Sequence, residues 1–328
     1  KIAFARELEK AALAQDPRIQ RVDGCSVMTE SSERAIRNSK GLNLASRQNV
    51  AVAYVAPIAE ENGRVNTGMK FQMEQEFSAL DAQAIAKAAV ERALTGLTAQ
   101  QPASATCAIA FENRAAASLL GVFSSIFSAE AAQKGLSLLK GREGEMIASE
   151  AVTIVDDPHR PHSAASQPFD GEGVPTRKKN VVEKGVLQTL LHNLTTAAKQ
   201  GVATTGNAAR GYASAVGVAP SNFYIAPSQE SVEAMLARMG EGFLITEVSG
   251  LHAGANQISG DFSLLAKGFA VRGGQKAEPV EQITVAGNFF AVLKDVVAVA
   301  DDLAFGLPGG SLVGSPTIWV KALSVAGK

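Results

Sequence analysis

The chain has 328 residues, 46% of them hydrophobic, which is typical of two globular domains with buried cores. Its 31 basic and 32 acidic residues give a net charge of −1, which argues against direct binding of nucleic acid. Cys25 and Cys107 form no CxxC pair, and no apolar run has the length that spans a membrane. These features indicate a protein of the reducing cytoplasm, with no disulfide framework and no membrane partner. Lys1 is followed by no signal-peptide pattern, and we expect the natural start to lie upstream.

The first hundred residues combine helical and strand-like patterns. In chain order they predict a helix over 5–15, strands over 19–28, 33–39, 50–58 and 64–77, and a helix over 81–97. The last two strands form a hairpin around Glu61-Asn62-Gly63, and Ser78 or Asp81 can cap the second helix. A polar linker over 98–106 then separates a domain of residues 1–100 from one of residues 107–328.

The second domain is richer in glycine and in short strands. Strands are predicted over 107–111, 151–155, 180–187, 243–248, 262–272, 282–286 and 317–325. Helices are predicted over 113–127, extended by 130–134, and over 190–200, 231–238 and 289–300. Strands that follow one another through Gly turns, without regular helical crossovers, favour an α+β fold of mostly antiparallel sheets with flanking helices.

Two polar clusters in the second domain are candidate binding loops. Asp170 and Glu172 flank a glycine in PFDGEGVPT, where paired carboxylates can transfer protons or bind a peptide amine. In the alternative interpretation they fix the loop through bonds to neighbouring backbone amides. In TTGNAARG, Gly206 and Asn207 favour a sharp turn whose backbone could bind an extended peptide, or an ordinary buried turn. Asp261, in SGDFS, has the same two interpretations.

Other chemical motifs are weak. His159 and His162 lie in a loop with two prolines, DDPHRPH, which gives them no shared helical face, so no metal site is predicted. His192 and His252 are isolated, and the run Arg177-Lys178-Lys179 is typical of a solvated turn. Ser137 and Lys140 match SxxK, but no KTG motif accompanies them and no GxSxG is present, so no catalytic residue is assigned.

The order of the clusters carries more information than any one of them. FDGEGVPT, TTGNAARG, TEVSG, NQISGDFS and PVEQITVAGNF follow one another along the chain. Together they resemble the TldD/PmbA family, bacterial and archaeal peptidase subunits once called modulators of DNA gyrase. The segments EKAALAQDPR and NSKG near the start agree with this. The resemblance implies the two-domain architecture of that family, with the extreme N-terminal part of the first domain missing before Lys1.

The family has a zinc-binding branch and a branch without zinc. In the TldD-like branch a helix carries HExxxH, and a cysteine in a Gly-rich loop near the C-terminus completes the site. The equivalent helix here is Ser118–Ile126, SLLGVFSSI, with neither His nor Glu, and the equivalent loop is Gly306–Ser311 without a cysteine. The chain therefore resembles the PmbA/TldE-like branch, and the resemblance implies no metal or cofactor in this chain and zinc in a partner.

The expected function follows from that branch. It is a subunit of a TldD/TldE-type zinc metallopeptidase complex that degrades or matures peptides, active only with a TldD-like partner. Substrate-binding residues are then Asp170, Glu172, Gly206, Asn207 and Asp261, with peptides or unfolded protein as substrate. Self-association of the isolated chain is left open. One alternative is a non-proteolytic interaction protein that modulates a target such as DNA gyrase, and another is a metal-free hydrolase that uses the two carboxylates of FDGEG.

Overall fold

A computed structural model describes residues 1–306 and 311–328 and divides the chain into two compact units. The first comprises Lys1–Arg37, Asn43–Gln100 and His162–Ala164, and the second comprises Asn38–Leu42, Gln101–Pro161 and Ala165–Lys328. Among the described residues, no helix is both long enough and apolar enough to cross a bilayer.

The first unit is an antiparallel sheet with two helices. Its elements are α1 (Ile2–Ala14), β1 (Ile19–Arg37), β2 (Asn43–Glu61), β3 (Arg64–Thr67), β4 (Lys70–Glu74) and α2 (Ala82–Leu97). The central strand β2 pairs with the other three. Residues from both helices and from β1 and β2 form one hydrophobic cluster, which includes Leu8, Val55, Ile85 and Ala89.

Helix α2 shows how local sequence fixes an element and its packing. The carboxylate of Asp81 caps it by accepting hydrogen bonds from the amides of Gln83 and Ala84, at 2.9 and 3.0 Å. A side chain on Gly68 would place its Cβ 2.1 Å from the carbonyl oxygen of Ala89. Only glycine therefore lets this part of the chain lie directly against the alanine-rich face of α2.

One expectation for the first unit was wrong. The predicted strands over 19–28 and 33–39 are a single strand, β1, which pairs with β2 from Ile19 to Arg37. The polar residues between them form no turn, because their backbone groups bond to the facing strand and their side chains lie on exposed positions. The strand predicted over 64–77 is interrupted, and β3 and β4 both pair with β2.

The second unit contains most of the elements. They are β5 (Ala105–Phe111), α3 (Asn113–Phe123), α4 (Ala129–Gln133), β6 (Ile154–Asp156), β7 (Lys179–Glu183), β8 (Val186–Leu187), α5 (Leu194–Gln200), β9 (Ala208–Ala209), β10 (Gly217–Val218), β11 (Asn222–Ile225), α6 (Val232–Met239), β12 (Gly242–Ser249), α7 (Leu251–Gly254), β13 (Asp261–Arg272), β14 (Gln275–Asn288), α8 (Phe289–Lys294), β15 (Val296–Val299), β16 (Ala304–Phe305), β17 (Leu312–Ser315) and β18 (Ile318–Ala326). Short 3₁₀ turns cover Phe77–Ala79 and Ser124–Phe127.

Two six-stranded sheets organise this unit. The first has the order β16-β17-β11-β6-β7-β8, and the second has the order β14-β13-β12-β5-β18-β15. A further pairing of β14 with β18 closes five strands of the second sheet into a barrel. Pairing is antiparallel except between β5 and β12 and between β11 and β17, which confirms the α+β fold of mostly antiparallel sheets.

Helix α3 is part of the main hydrophobic core. Its side chains Leu119, Leu120 and Phe123 are at most 1% exposed, and the ring of Phe123 stacks on that of Phe289 at 4.5 Å. The helix ends at Phe123, and α4 is a separate helix capped by Ser128, not an extension of α3. The helix predicted over 289–300 also ends early, at Lys294, because the apolar run that follows pairs with β18 as β15.

Candidate functional site

The two polar loops picked out in the sequence lie side by side. The amide of Gly171 donates to the carbonyl of Ala208 at 2.7 Å, and the amide of Ala208 donates to the carboxylate of Asp170 at 3.0 Å. These bonds join PFDGEG to TTGNA across a separation of 38 residues. The structure therefore brings together four of the five predicted site residues, Asp170, Glu172, Gly206 and Asn207.

Asp170 is the anchor of this loop cluster. Its side chain is fully buried, and besides the amide of Ala208 it accepts from the amides of Glu172 and Val174, at 2.9 and 3.0 Å. Three backbone donors on one carboxylate stabilise the tight turn that the glycines allow. The carboxylate of Asp170 has no exposed surface in this conformation, so its direct effect is on the shape of the loop.

Glu172 is half-buried and lies at the open side of the cluster. One of its carboxylate oxygens accepts from the amide of Leu194 at 2.8 Å, which places the carboxylate at the N-terminal end of α5. Asn193 caps the same helix through a reciprocal bond with Thr196. Of the two carboxylates, Glu172 is the one that retains partial access to solvent.

The TTGNA segment forms the sharp turn that its composition predicts. Gly206 has φ +72°, and a Cβ there would lie 3.1 Å from the carbonyl oxygen of Pro175. The next residue, Asn207, is 3% exposed, and its backbone N–H donates to the carbonyl of His192 at 3.1 Å. Gly206 is thus required by backbone conformation, and Asn207 lies inside the protein.

A buried ion pair beneath the loops escaped the sequence analysis. Lys179 Nζ lies 2.8 Å from Asp156 Oδ2, and their side chains are only 9% and 0% exposed. Asn207 connects to both, since its amide nitrogen donates to Asp156 at 2.7 Å and its oxygen accepts from Lys179 at 3.1 Å. Ser221 donates its hydroxyl and its backbone amide to the other oxygen of Asp156, each at 2.7 Å.

The expectation that Lys179 belongs to a solvated turn was therefore wrong. Arg177 and Lys178 are exposed, but Lys179 begins β7 and its side chain points into the protein toward Asp156, the last residue of β6. The alternation of side chains along a strand buries one lysine of the run and exposes its neighbour. The sequence carried one signal for this burial: the run lies directly before a strand. Lys179 is the first residue of that strand, whereas Arg177 and Lys178 precede it.

The fifth predicted residue, Asp261, lies in another cluster. It begins β13, is exposed, and accepts hydrogen bonds from Asn288 at 2.9 Å and from the hydroxyl of Ser259 at 2.8 Å. The bonds from Asn288 and then Ser259 lower the pKa of this carboxyl below its ordinary value, so it stays charged at neutral pH. Asp261 is therefore a permanent negative charge at the surface.

Asp261 lies on the rim of an open groove of about 1050 Å³. The groove is lined by Val122, all of residues 251–258, Asp261, Phe262 and Ser263. Asn256 shapes one wall by accepting from the amides of Ile258 and Ser259, at 3.0 and 3.1 Å. The groove is open to solvent, and its lining combines apolar and polar side chains.

The residues of α3 at this groove do not suit a metal ion. The resemblance places the HExxxH pattern on the segment Ser118–Ile126, where Val122 of α3 lines the groove and Ile126 of the following 3₁₀ turn is buried in the core. Neither side chain can donate an electron pair to zinc. Within residues 1–306 and 311–328, no three His, Cys, Asp or Glu side chains are grouped as metal ligands. Residues 307–310 of the glycine-rich loop compared with the cysteine loop lie outside the described residues.

Comparisons with known proteins agree with these motifs. A family model described as the PmbA/TldA metallopeptidase C-terminal domain matches residues 104–327, and one described as the central domain matches residues 1–97. The chain belongs to the PmbA/TldD family. It is 30% identical to Metalloprotease PmbA of Escherichia coli O157:H7 over 305 residues, which cover 92% of this chain and 65% of that protein. The chain thus spans just under two thirds of the length of that relative.

Two solved structures share this fold. A candidate modulator of a DNA gyrase from Thermotoga maritima superposes with a TM-score of 0.92 at 37% identity, over 99% of this chain and 74% of that one. TldE from Thermococcus kodakarensis superposes with a TM-score of 0.90 over the same fractions, and its 24% identity indicates a common fold.

Proposed function

We propose that this chain is the subunit without zinc ligands in a TldD/TldE-type peptidase, and that it binds peptide while a TldD-like partner supplies the metal. The observation that carries the proposal is that the segment Ser118–Ile126 has neither His nor Glu, with Val122 lining the groove and Ile126 buried in the core. A zinc-bound water needs imidazole or carboxylate ligands, and Val122 and Ile126 cannot supply them. No catalytic step is therefore assigned to this chain.

The groove supports binding of an extended peptide. Val122 and the exposed Ile258 offer an apolar surface, while Asp261 holds a negative charge among the lining residues. An exposed carboxylate in this position can pair with the amino terminus or a basic side chain of a peptide. Apolar contacts that accept many side chains, together with one ionic anchor, suit a subunit that must bind peptides of varied sequence.

The loop cluster has a supporting role in this proposal. Asp170 and Asn207 are buried and set the shape of the two loops, so Glu172 is the residue of that cluster that can contact substrate or partner. We expect its removal to weaken turnover by the complex about 10- to 100-fold, the effect of lost positioning. Loss of a chemical base would cost far more.

The test uses reconstitution with a TldD-like protein that carries HExxxH. We expect co-elution of the two chains, zinc bound to the partner, and peptide hydrolysis only by the pair. Ser263→Trp should block the groove, while Leu265→Trp, two residues along the same exposed face of β13 but outside the groove, is the matched control. Hydrolysis by this chain alone, or one zinc held by its own side chains, would overturn the proposal.

The same experiment addresses the non-proteolytic alternative. An interaction protein would bind its target without a TldD-like partner, and Ser263→Trp would leave every peptide assay of the mixture unchanged. The net charge of −1 does not favour contact with DNA itself. Co-purification from native cells, followed by peptide assay and metal analysis, separates the two functions.

A further inference from the structure

One arginine of the second unit is held between two aromatic rings. The guanidinium carbon of Arg160 lies 4.5 Å from the ring centre of Phe305 and 5.6 Å from that of Tyr224. The two rings meet edge to face at 5.7 Å, and Tyr224 is only 6% exposed. Contacts of this kind fix the plane of a guanidinium, which is otherwise at the end of a flexible side chain.

The backbone around Arg160 is fixed as well. Arg160 follows β6 by four residues, while Tyr224 lies in β11 and Phe305 in β16, all associated with the same sheet. Its amide donates to the carbonyl of Asp157 at 3.3 Å, and its carbonyl accepts from the hydroxyl of Ser166 at 2.6 Å. The backbone of Arg160 is therefore fixed, and its guanidinium lies against aromatic residues of two strands.

The hydrogen-bond donors of this guanidinium have no acceptor among the described residues. In residues 1–306 and 311–328, no oxygen accepts a hydrogen bond from the side chain of Arg160, and no carboxylate lies within 4.0 Å of it. Two other arginines of this unit are ion-paired: Arg142 with Glu145 at 2.8 Å, and Arg238 with Glu230 at 2.8 Å. A half-buried guanidinium with five free donors and a fixed plane is prepared for a ligand that accepts two parallel hydrogen bonds.

The surrounding charges favour an anion. Lys178 interacts with the hydroxyl end of Tyr224 and with Asp157, which raise its pKa, so that it is cationic at neutral pH. Asp157 is the acidic group at this place, and its carboxylate is paired with Lys178 at 3.3 Å rather than with Arg160. The carboxylate of the neighbouring Asp156 is fully buried and neutralised by its own lysine. Among the residues that the structure describes, the positive charge of Arg160 is thus left without a counter-ion.

We propose that Arg160, held against the rings of Phe305 and Tyr224, binds a carboxylate of the peptide substrate. This inference rests on the proposed function, since it assigns the carboxylate to a peptide. A planar carboxylate matches the two parallel donors of a guanidinium, and its single negative charge balances the charge of Arg160. The carboxylate of Asp157 nearby disfavours a doubly charged phosphate. The carboxylate can come from the C-terminus of a peptide or from an acidic side chain.

The experiment measures binding to the isolated protein by fluorescence anisotropy. The probes are three labelled peptides: penta-alanine with a free C-terminal carboxylate, penta-alanine amide, and an amidated peptide with one central glutamate. Arg160→Gln removes the charge and the parallel N–H donors of the guanidinium. Arg160→Lys keeps the charge but lacks the parallel donors. Arg238→Gln is the matched control, because Arg238 lies 5.6 Å from the ring of Trp319 but its donors are already paired.

We expect the wild-type protein to bind at least one carboxylate peptide more tightly than the amide, and Arg160→Gln to weaken that binding about 10- to 100-fold. Arg160→Lys should give an intermediate loss, and Arg238→Gln should stay within about twofold of the wild type. Preference for the free C-terminus or for the glutamate peptide then identifies the source of the carboxylate. A circular dichroism melt of each variant tests whether it is folded. If Arg160→Gln does not fold, Arg160→Lys still tests the inference.

Equal affinity of the wild type for the acid, amide and glutamate peptides would overturn the inference. So would an equal loss of affinity for all three peptides in Arg160→Gln, or no measurable binding of any. These outcomes are separable from failure of the proposed function, because this assay uses neither a partner nor hydrolysis. A pair that hydrolyses the free-acid, amide and glutamate peptides equally well would refute the carboxylate site alone.

Discussion

Replacing Asp170 by alanine tests how the loop cluster is held. The substitution removes one carboxylate and leaves three backbone amides, those of Glu172, Val174 and Ala208, without their acceptor. A hydrogen bond to a charged group contributes about 1.5–3 kcal/mol, and a buried donor left unpaired adds its own desolvation cost. The amides of the half-buried Glu172 and Val174 can regain water in the variant, whereas that of Ala208 is buried.

From these bonds we expect Asp170→Ala to lower the free energy of unfolding by about 3–5 kcal/mol, close to the cost of breaking a buried charged network. Asp170→Asn should cost less than Asp170→Ala, because its side-chain oxygen can still accept from Glu172 and Val174 and only the amide of Ala208 would face a donor. Glu172→Ala is the control, since that half-buried carboxylate has one bond, to the amide of Leu194, and should cost about 1 kcal/mol.

The assay is equilibrium unfolding in urea followed by far-ultraviolet circular dichroism, with both midpoint and slope recorded. A midpoint for Asp170→Ala equal to that of the wild type would refute the anchoring role. The loops would then be held by other contacts, and Asp170 would be free to serve a ligand.

Three further predictions concern the same region. Gly206→Val should lower the free energy of unfolding by about 2–4 kcal/mol, because Gly206 has φ +72° and a backbone oxygen lies 3.1 Å from the new Cβ. The control is Gly201→Ala, at φ +71° in open space, which should lower it by about 1 kcal/mol. Equal urea midpoints for the two variants would contradict this. Lys179→Met should lower the free energy of unfolding by about 3–5 kcal/mol, because it leaves the buried charge of Asp156 without its cation. In a double-mutant cycle, adding Asp156→Asn should recover part of this loss. Additive losses from the two substitutions would exclude coupling between the two residues. His192 is 1% exposed, and burial lowers its pKa, so below about pH 6.5 the unfolded state binds a proton that the folded state does not. Stability should therefore fall as the pH drops from about 7 toward 5, and a variant with His192→Gln should show a shallower fall in the same urea experiments.

Sequence patterns predicted the elements whose causes are local. Asp81 caps α2 because a short carboxylate before an alanine-rich run can reach the first free amides of the helix. Gly206 has positive φ because only glycine adopts that conformation without strain, and the TTGN composition indicated it.

Long-range pairing explains the elements that were predicted wrongly. The polar residues in the middle of β1 have the composition of a turn, but the facing strand β2 satisfies their backbone groups and makes one strand of 19 residues. The apolar run after α8 has the composition of a helix, yet the free edge of β18 binds it as β15. In both places tertiary hydrogen bonds outweigh local preference.

The sequence by itself determined the family and the fold class, because these depend on residue types and their order. It also determined the turn at Gly206, where the backbone accepts only one kind of residue. Tertiary structure alone decided which charges are buried and which are left without a partner. Lys179 meets Asp156, 23 residues away, inside the protein, while Arg160 stacks on Phe305 and keeps its donors free among the described residues. Charge pairing depends on distances of a few ångströms between strands far apart in the chain, and no local pattern records those distances.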